Sequence, residues 1–164
     1  MALGLNRILI QDRVENLGVA ESPLILLYYI NLGSPFLNET SALLTESHPV
    51  EARDAISQTG MFDWMRFQKP TPSYVERVCS HTLPADQDGW AGVRLINRAR
   101  KLGLSVRFEK ATLPELVQWK MMAHSKYVLG LEPADCRSVS VAAARRARVA
   151  RCNSCIRANN ANFK

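Results

Sequence analysis

Short apolar runs separated by glycine and proline dominate the first 136 residues, and few windows keep a helical period for three turns. Alternation of apolar and polar positions predicts strands in "RILIQDRVENLG", "YVERVCSHTL" and "GWAGVRLINRARKLGLSVRFEK", the last holding two strands at 93–96 and 104–108. The apolar runs in "SPLILLYYINLGSP" and "KYVLGLEP" also indicate strands. Short strands at this spacing predict an all-β fold, a sandwich or barrel.

Two segments fit the strand pattern less well. Residues 50–56 are compatible with a short helix that has Glu51 in its first turn, although Pro49 and Gly60 restrict its length. The stretch "LPELVQWKMM" places four apolar residues on one helical face. Each segment is a helix or a loop in this interpretation.

The positive charge of the chain is concentrated at its C-terminal end. The net charge is +6, but all 15 acidic residues and 14 of the 21 basic residues precede position 137. The first 136 residues are therefore near neutral, and the Ala-rich remainder is strongly basic. We predict a domain at 1–136 and a low-order basic tail at 137–164, with partial helix at 142–150 and disorder beyond 159.

The tail contains two features with possible chemistry. Cys152 and Cys155 have C-x-x-C spacing, but a structural zinc site needs four ligands and only Cys136 stands nearby. We therefore favour unpaired thiols and predict neither a metal nor a cofactor. A cluster of arginines could bind a nucleic-acid backbone, but no aromatic residue interleaves it, so a solvated tail is favoured. The cluster comprises Arg145, Arg146, Arg148 and Arg151.

Composition excludes several classes of protein. With 47% hydrophobic and 22% charged residues, the chain has the profile of a soluble globular domain. No apolar run approaches the roughly 18 residues of a membrane span, and the N-terminus lacks the residue order of a signal peptide. Four unevenly spaced cysteines do not form a disulfide scaffold. These features together predict a cytoplasmic protein that does not enter a membrane.

Glu132 closes the most strand-like segment of the chain, and a carboxylate there costs several kcal/mol if it is desolvated without a partner. Glu132 is therefore either exposed at the end of a strand or has a functional role. The polar surroundings of Trp64, Trp90 and Trp119 are typical of a sugar site, although packing in the core or at its rim explains each one at least as well. His81 is a candidate proton carrier, although a surface histidine or a satisfied core histidine is favoured on residue type alone.

Three motifs occur in an order that matches a known family. They are "LLYYINLGSPFLNE", "VQWKMM" and "YVLGLEPAD". Through them the chain resembles the galactose mutarotase-like superfamily, specifically the aldose 1-epimerase-like DUF4432 proteins, over residues 8–136. The resemblance implies a partial β-supersandwich with a sugar cleft and a small-molecule sugar as partner.

The resemblance also implies roles for individual residues. Glu132 falls where the superfamily keeps its catalytic base, and His81 and Tyr29 are the candidate acids. The implied sugar contacts are Asn31, Arg53, Trp119 and Lys120, with His81 as a further candidate. In such enzymes the base accepts the anomeric proton while the acid protonates the ring oxygen, so that the ring opens and recloses as the other anomer.

Three departures from the family pattern weaken the implied activity. Tyr29 replaces a histidine, and a phenol releases its proton far less readily than an imidazole near pH 7. Asn38 and Asp135 replace Asp and Asn. The chain is also shorter than family members, and its tail departs from theirs. The expected function is thus sugar binding with weak mutarotase activity, an inactive remnant, or a protein whose tail contacts nucleic acid, with self-association through exposed sheet edges.

Overall fold

Strands make up most of the regular structure. The computed structural model describes residues 6–20, 22–47 and 49–136, together with the backbone at 155 and 156. The chain divides into two compact units, one formed by residues 1–24 and 154–164 and the other by 25–153.

The residues that the structure describes in the smaller unit include one short pair of strands. Strand β1 (Ser22–Pro23) pairs antiparallel with β10 (Cys155–Ile156), with Ser22 opposite Ile156. The strand predicted around Ile8 and Ile10 is wrong, because residues 6–20 form no strand and these two side chains are 72% and 60% exposed. Alternation of apolar residues does not make a strand where no neighbouring strand accepts its backbone hydrogen bonds.

The described part of the larger unit, residues 25–47 and 49–136, forms two antiparallel sheets. The five-stranded sheet has the order β2-β9-β8-β5-β4 and the three-stranded sheet the order β3-β6-β7. A short helix α1 (Ala55–Gln58) and a 3₁₀ turn (Met61–Asp63) follow β4. The strands are β2 (Ile30–Leu32), β3 (Ser41–Leu44), β4 (Val50–Ala52), β5 (Arg77–His81), β6 (Trp90–Asn97), β7 (Leu102–Glu109), β8 (Glu115–Ala123) and β9 (Lys126–Ala134).

One hydrophobic core lies between the two sheets. Strand β6 contributes Val93 and Leu95 from the smaller sheet, and β9 contributes Leu129 and Leu131 from the larger one, all at most 1% exposed. Burial of each such side chain contributes roughly 1.5–3 kcal/mol. The structure is therefore a β-sandwich, and the predicted all-β fold class is confirmed.

The two ambiguous segments are resolved differently. The helical interpretation of "LPELVQWKMM" is wrong, because β8 runs through it as a central strand between β5 and β9. Residues 50–56 are partly as predicted, since β4 is followed by α1. The Asp54 carboxylate caps α1 by accepting a 2.7 Å hydrogen bond from the Ser57 backbone N–H.

Several predictions concern residues outside those that the structure describes. They are the helix at 142–150, the disorder beyond 159, the C-x-x-C side chains and the arginine cluster. The boundary between 136 and 137, the self-association and any nucleic-acid contact stay predictions. Within the described part of the chain, no helix is long and apolar enough to cross a membrane.

Candidate active site

The five-stranded sheet has a second face, opposite the sandwich core, and Glu132 lies on it. Successive side chains of a strand alternate between faces, while residues directly opposite on neighbouring strands share one. Glu132 pairs with Val117, and Gly130 pairs with both Asn31 and Trp119. Strands β2, β9 and β8 therefore bring Asn31, Trp119 and Glu132 to the same face.

Glu132 is a buried carboxylate with a perturbed affinity for protons. Only 5% of the residue is exposed. Burial, followed by the nearby negative charge of Glu76, raises the pKa of Glu132 from 4.5 to about 7. Near neutral pH this group is divided between its ionised and protonated forms, as a general acid–base residue requires.

Gly130 leaves the space that the Glu132 carboxylate occupies. A Cβ at Gly130 would lie 2.6 Å from Glu132 Oε1, 3.2 Å from Trp119 Cβ and 3.4 Å from Asn31 Oδ1. These three side chains thus converge over the glycine. Any larger residue there would displace the carboxylate, because contacts below 3.0 Å require a neighbouring atom to move.

Trp119 is held at its indole edge by a chain of ionic hydrogen bonds. Its Nε1 donates to Glu76 Oε2 at 2.7 Å, and Arg53 Nη2 donates to Glu76 Oε1 at 3.0 Å. Arg53 Nε donates to Asp54 Oδ2 at 2.9 Å. The hydrogen bonds from Trp119 and then Arg53 lower the pKa of Glu76, so this carboxylate is ionised. Lys126 Nζ lies 5.1 Å from the centroid of the Trp119 ring.

Tyr29 lies beside Glu132. The antiparallel register of β2 and β9, with Ile30 opposite Leu131, continues to a bridge between Leu27 and Ala134. This register places Tyr29 directly opposite Glu132, with Cβ atoms about 4.5–5.5 Å apart as in other antiparallel pairs. Tyr29 is 72% exposed. Tyr29 is therefore a largely exposed residue at the start of the strand next to Glu132.

His81 lies on the other face of the sheet, inside the sandwich core. His81 pairs with Leu116, whereas Glu132 pairs with the next residue of β8, Val117. Because successive residues of a strand point to opposite faces, His81 and Glu132 lie on opposite faces of the sheet. His81 Nδ1 lies 2.8 Å from Ser47 Oγ and its Nε2 lies 2.8 Å from Gln118 Oε1. Burial lowers the pKa of His81 to about 4. The structure does not bring His81 together with Glu132, because the sheet itself separates them.

Lys120 shares the core face with His81. Its Nζ donates to the backbone carbonyls of Asp63, at 3.0 Å, and Arg66, at 2.6 Å. It also lies 5.4 Å from the Phe67 ring centroid. Burial lowers the pKa of Lys120 to about 8. Lys120 therefore anchors the segment around the 3₁₀ turn, and a sugar bound beside Glu132 would not reach it.

The structure thus gathers five of the seven predicted site residues on one side of the sheet. They are Glu132, Tyr29, Asn31, Trp119 and Arg53. Sequence reasoning did not select Glu76, Lys126 and Gly130 for this site. Alternation along "YVERVCS" places Glu76 and Val78 on the same face of the strand, and Val78 pairs with Trp119. The alternation could therefore have predicted that Glu76 lies near Trp119, but only if the register of β5 and β8 had been known. Among the described residues, no group of His, Cys, Asp or Glu could hold a metal ion.

The fold and this face define a β-sandwich protein with a buried carboxylate of raised pKa beside an aromatic residue. The chain belongs to DUF4432, a family described as a domain of unknown function, which matches residues 1–153. The resemblance stated from the motifs is confirmed at this level.

A solved structure is similar to this chain. It is the crystal structure of a protein described as a "putative aldose 1-epimerase" from Klebsiella pneumoniae subsp. pneumoniae MGH 78578. The two are 27% identical with a TM-score of 0.69, and the match covers 74% of this chain and 32% of that chain. This chain therefore spans about a third of that protein's length. No curated protein matches this chain.

Proposed function

We propose that the protein binds a carbohydrate and acts as an aldose 1-epimerase, with Glu132 as the proton acceptor. The observation that carries this proposal is the Glu132 carboxylate itself, 5% exposed and with a pKa of about 7, beside Asn31 and Trp119. Similarity to the Klebsiella protein supports the reaction class. An aromatic side chain next to hydrogen-bonding groups is suited to a pyranose, which has an apolar face and a polar rim.

The reaction needs one proton removed and another supplied. Ionised Glu132 accepts the proton of the anomeric hydroxyl, and the electron pair that is released forms the C1 carbonyl as the bond from C1 to the ring oxygen breaks. The ring oxygen takes a proton from an acid. Rotation about the C1–C2 bond and reversal of these transfers give the other anomer. Each positioned proton transfer contributes roughly 10² to 10⁴ in rate.

Tyr29 is the group that we assign to protonate the ring oxygen. It lies opposite Glu132 on the neighbouring strand, whereas His81 lies in the core behind the sheet. A phenol is a weak acid for this task near pH 7, so the exchange is slow. An inactive sugar-binding remnant is the second candidate, and the observation that favours it is this same tyrosine in place of a histidine.

Anomer exchange tests the proposal directly. Magnetisation-transfer NMR on a panel of aldoses should show exchange above the buffer rate, rising as pH passes about 7 because Glu132 becomes ionised. Glu132→Gln should remove the enhancement. Asp86→Asn, which breaks an exposed ion pair with Arg107 on the other sheet, should leave it unchanged.

The controls separate the two candidates. Tyr29→Phe should reduce exchange and leave the dissociation constant of the sugar within about threefold, since the tyrosine supplies a proton to the reaction. Sugar binding without exchange in the wild type identifies the inactive remnant. No binding of any aldose in the panel would overturn both candidates.

A further inference from the structure

The Glu76 carboxylate joins two residues of the candidate site, Trp119 and Arg53, by hydrogen bonds. Glu76 precedes β5, and its two carboxylate oxygens have separate partners. Oε2 accepts the Trp119 indole N–H at 2.7 Å and Oε1 accepts from Arg53 at 3.0 Å. Charge-assisted hydrogen bonds of this kind are about twice as strong as neutral ones.

Arg53 is itself fixed on two sides. Its backbone N–H donates to the Val78 carbonyl at 2.9 Å, and its guanidinium bridges Glu76 and the Asp54 carboxylate that caps α1. Both guanidinium contacts are to carboxylates of this chain. Arg53 is therefore oriented toward Glu76 and Asp54, and its contact with a sugar stays a prediction.

The Cβ atom of Trp119 lies close to the Glu132 carboxylate, over Gly130. Trp119 Cβ and Glu132 Oε1 both lie within 3.2 Å of the position that a Cβ on Gly130 would take. A rotation of the indole about its side-chain bonds would therefore change the wall of the site next to Glu132. The only hydrogen bond that the structure describes for the indole N–H is the one to Glu76.

We infer that Glu76 is a positioning residue, which fixes the orientation of the Trp119 indole beside the Glu132 site. The inference rests on the proposed function for its catalytic consequence, but the orientation of Trp119 is independent of any reaction. The negative charge of Glu76 also contributes to the raised pKa of Glu132. Arg53 is linked to Trp119 through Glu76.

Two substitutions separate the two effects of Glu76. Glu76→Gln keeps an oxygen that can accept the indole N–H and removes the charge. Glu76→Ala removes both. Asp86→Asn is the matched control, because Asp86 pairs with Arg107 and Arg107 lies 5.8 Å from the Trp90 ring centroid, on the other sheet.

The indole N–H resonance of Trp119, assigned with Trp119→Phe, is the first measurement. Glu76→Ala should shift this resonance and speed its hydrogen exchange about tenfold, since a hydrogen bond to a charged group is lost. Glu76→Gln should largely restore it, and Asp86→Asn should not affect it. A resonance that is the same in the wild type and Glu76→Ala would overturn the inference, whether or not any sugar binds.

The second measurement concerns the charge. The pH midpoint of anomer exchange, or of the Glu132 side-chain carbon shift if the chain does not turn over sugar, should fall in Glu76→Gln relative to the wild type. Sugar affinity should fall about tenfold in Glu76→Ala and be recovered in Glu76→Gln. A midpoint unchanged in Glu76→Gln would overturn the charge effect. If no aldose binds, the proposed function fails, and the indole and carbon shifts still decide the role of Glu76.

Discussion

Replacing Glu132 with glutamine should stabilise the protein at neutral and alkaline pH and should have little effect on its stability at acidic pH. The pKa of Glu132 is about 7 in the folded chain, against an ordinary value of 4.5. The unfolded chain therefore releases this proton first, so stability falls as pH rises from about 4.5 to about 7 and is then constant. The difference between these two pKa values corresponds to about 3 kcal/mol of stability that Glu132 removes at pH 8.

His81 gives a pH dependence of the opposite sign. Burial lowers its pKa from 6.5 to about 4, so the unfolded chain takes up a proton that the folded chain does not. The contribution of His81 to the free energy of unfolding therefore falls by about 3 kcal/mol as pH decreases from about 6.5 to about 4. Between these limits the two residues oppose each other, so the stability of the wild type should vary less with pH than that of Glu132→Gln or His81→Gln.

Urea unfolding followed by circular dichroism between pH 4 and 8.5 measures this effect. The free energy of unfolding of Glu132→Gln minus that of the wild type should grow from near zero at pH 4 to about 3 kcal/mol above pH 7. Asn31→Ala, on the same face, removes no ionisable group, so its difference from the wild type should not vary with pH. A Glu132→Gln difference that is independent of pH would refute the raised pKa and the burial that causes it.

Three further substitutions test the arrangement of the two faces. Gly130→Ala should lower anomer exchange roughly a hundredfold, because its Cβ would lie 2.6 Å from Glu132 Oε1 and displace the carboxylate. Gly103→Ala should leave exchange unchanged, because the nearest atom that its Cβ would meet lies 3.6 Å away. His81→Gln should leave the exchange rate per folded molecule within about twofold and remove the loss of stability at acidic pH. Lys120→Met should lower the free energy of unfolding by about 1–3 kcal/mol, because two carbonyl acceptors lose their donor, with sugar affinity unchanged. Lost exchange in His81→Gln, or lost sugar affinity in Lys120→Met, would contradict the separation of the faces.

Local pattern predicted most of the strands of the larger unit. The alternation in "GWAGVRLINRARKLGLSVRFEK" became β6 and β7, joined by a turn in which Lys101 has a φ of 53°. The local pattern did not predict β8. This central strand has buried apolar residues on both faces of the sheet, namely Leu116, Val117 and Met122. Such a sequence fits a helical face as well as a strand, and only its neighbours β5 and β9 decide between them.

The site was less accessible from the sequence than the fold. The sequence indicated Glu132 because a carboxylate at the end of an apolar strand is costly to desolvate without a partner. The structure adds that this residue is buried and that its pKa is raised. Separating His81 from Glu132 requires the register of three strands, which no local pattern contains. The contact of Trp119 with Glu76 joins residues 43 positions apart and depends on the same register.

Sugar-dependent thermal unfolding tests the central claim most directly, since a ligand that binds the folded chain must raise its midpoint. The wild type should gain a higher Tm with one or more aldoses, and the gain should increase with sugar concentration. Trp119→Ala should abolish the gain and Lys120→Met should keep it. A Tm that no aldose moves, or a gain that survives in Trp119→Ala and disappears in Lys120→Met, would contradict a sugar site on the Glu132 face.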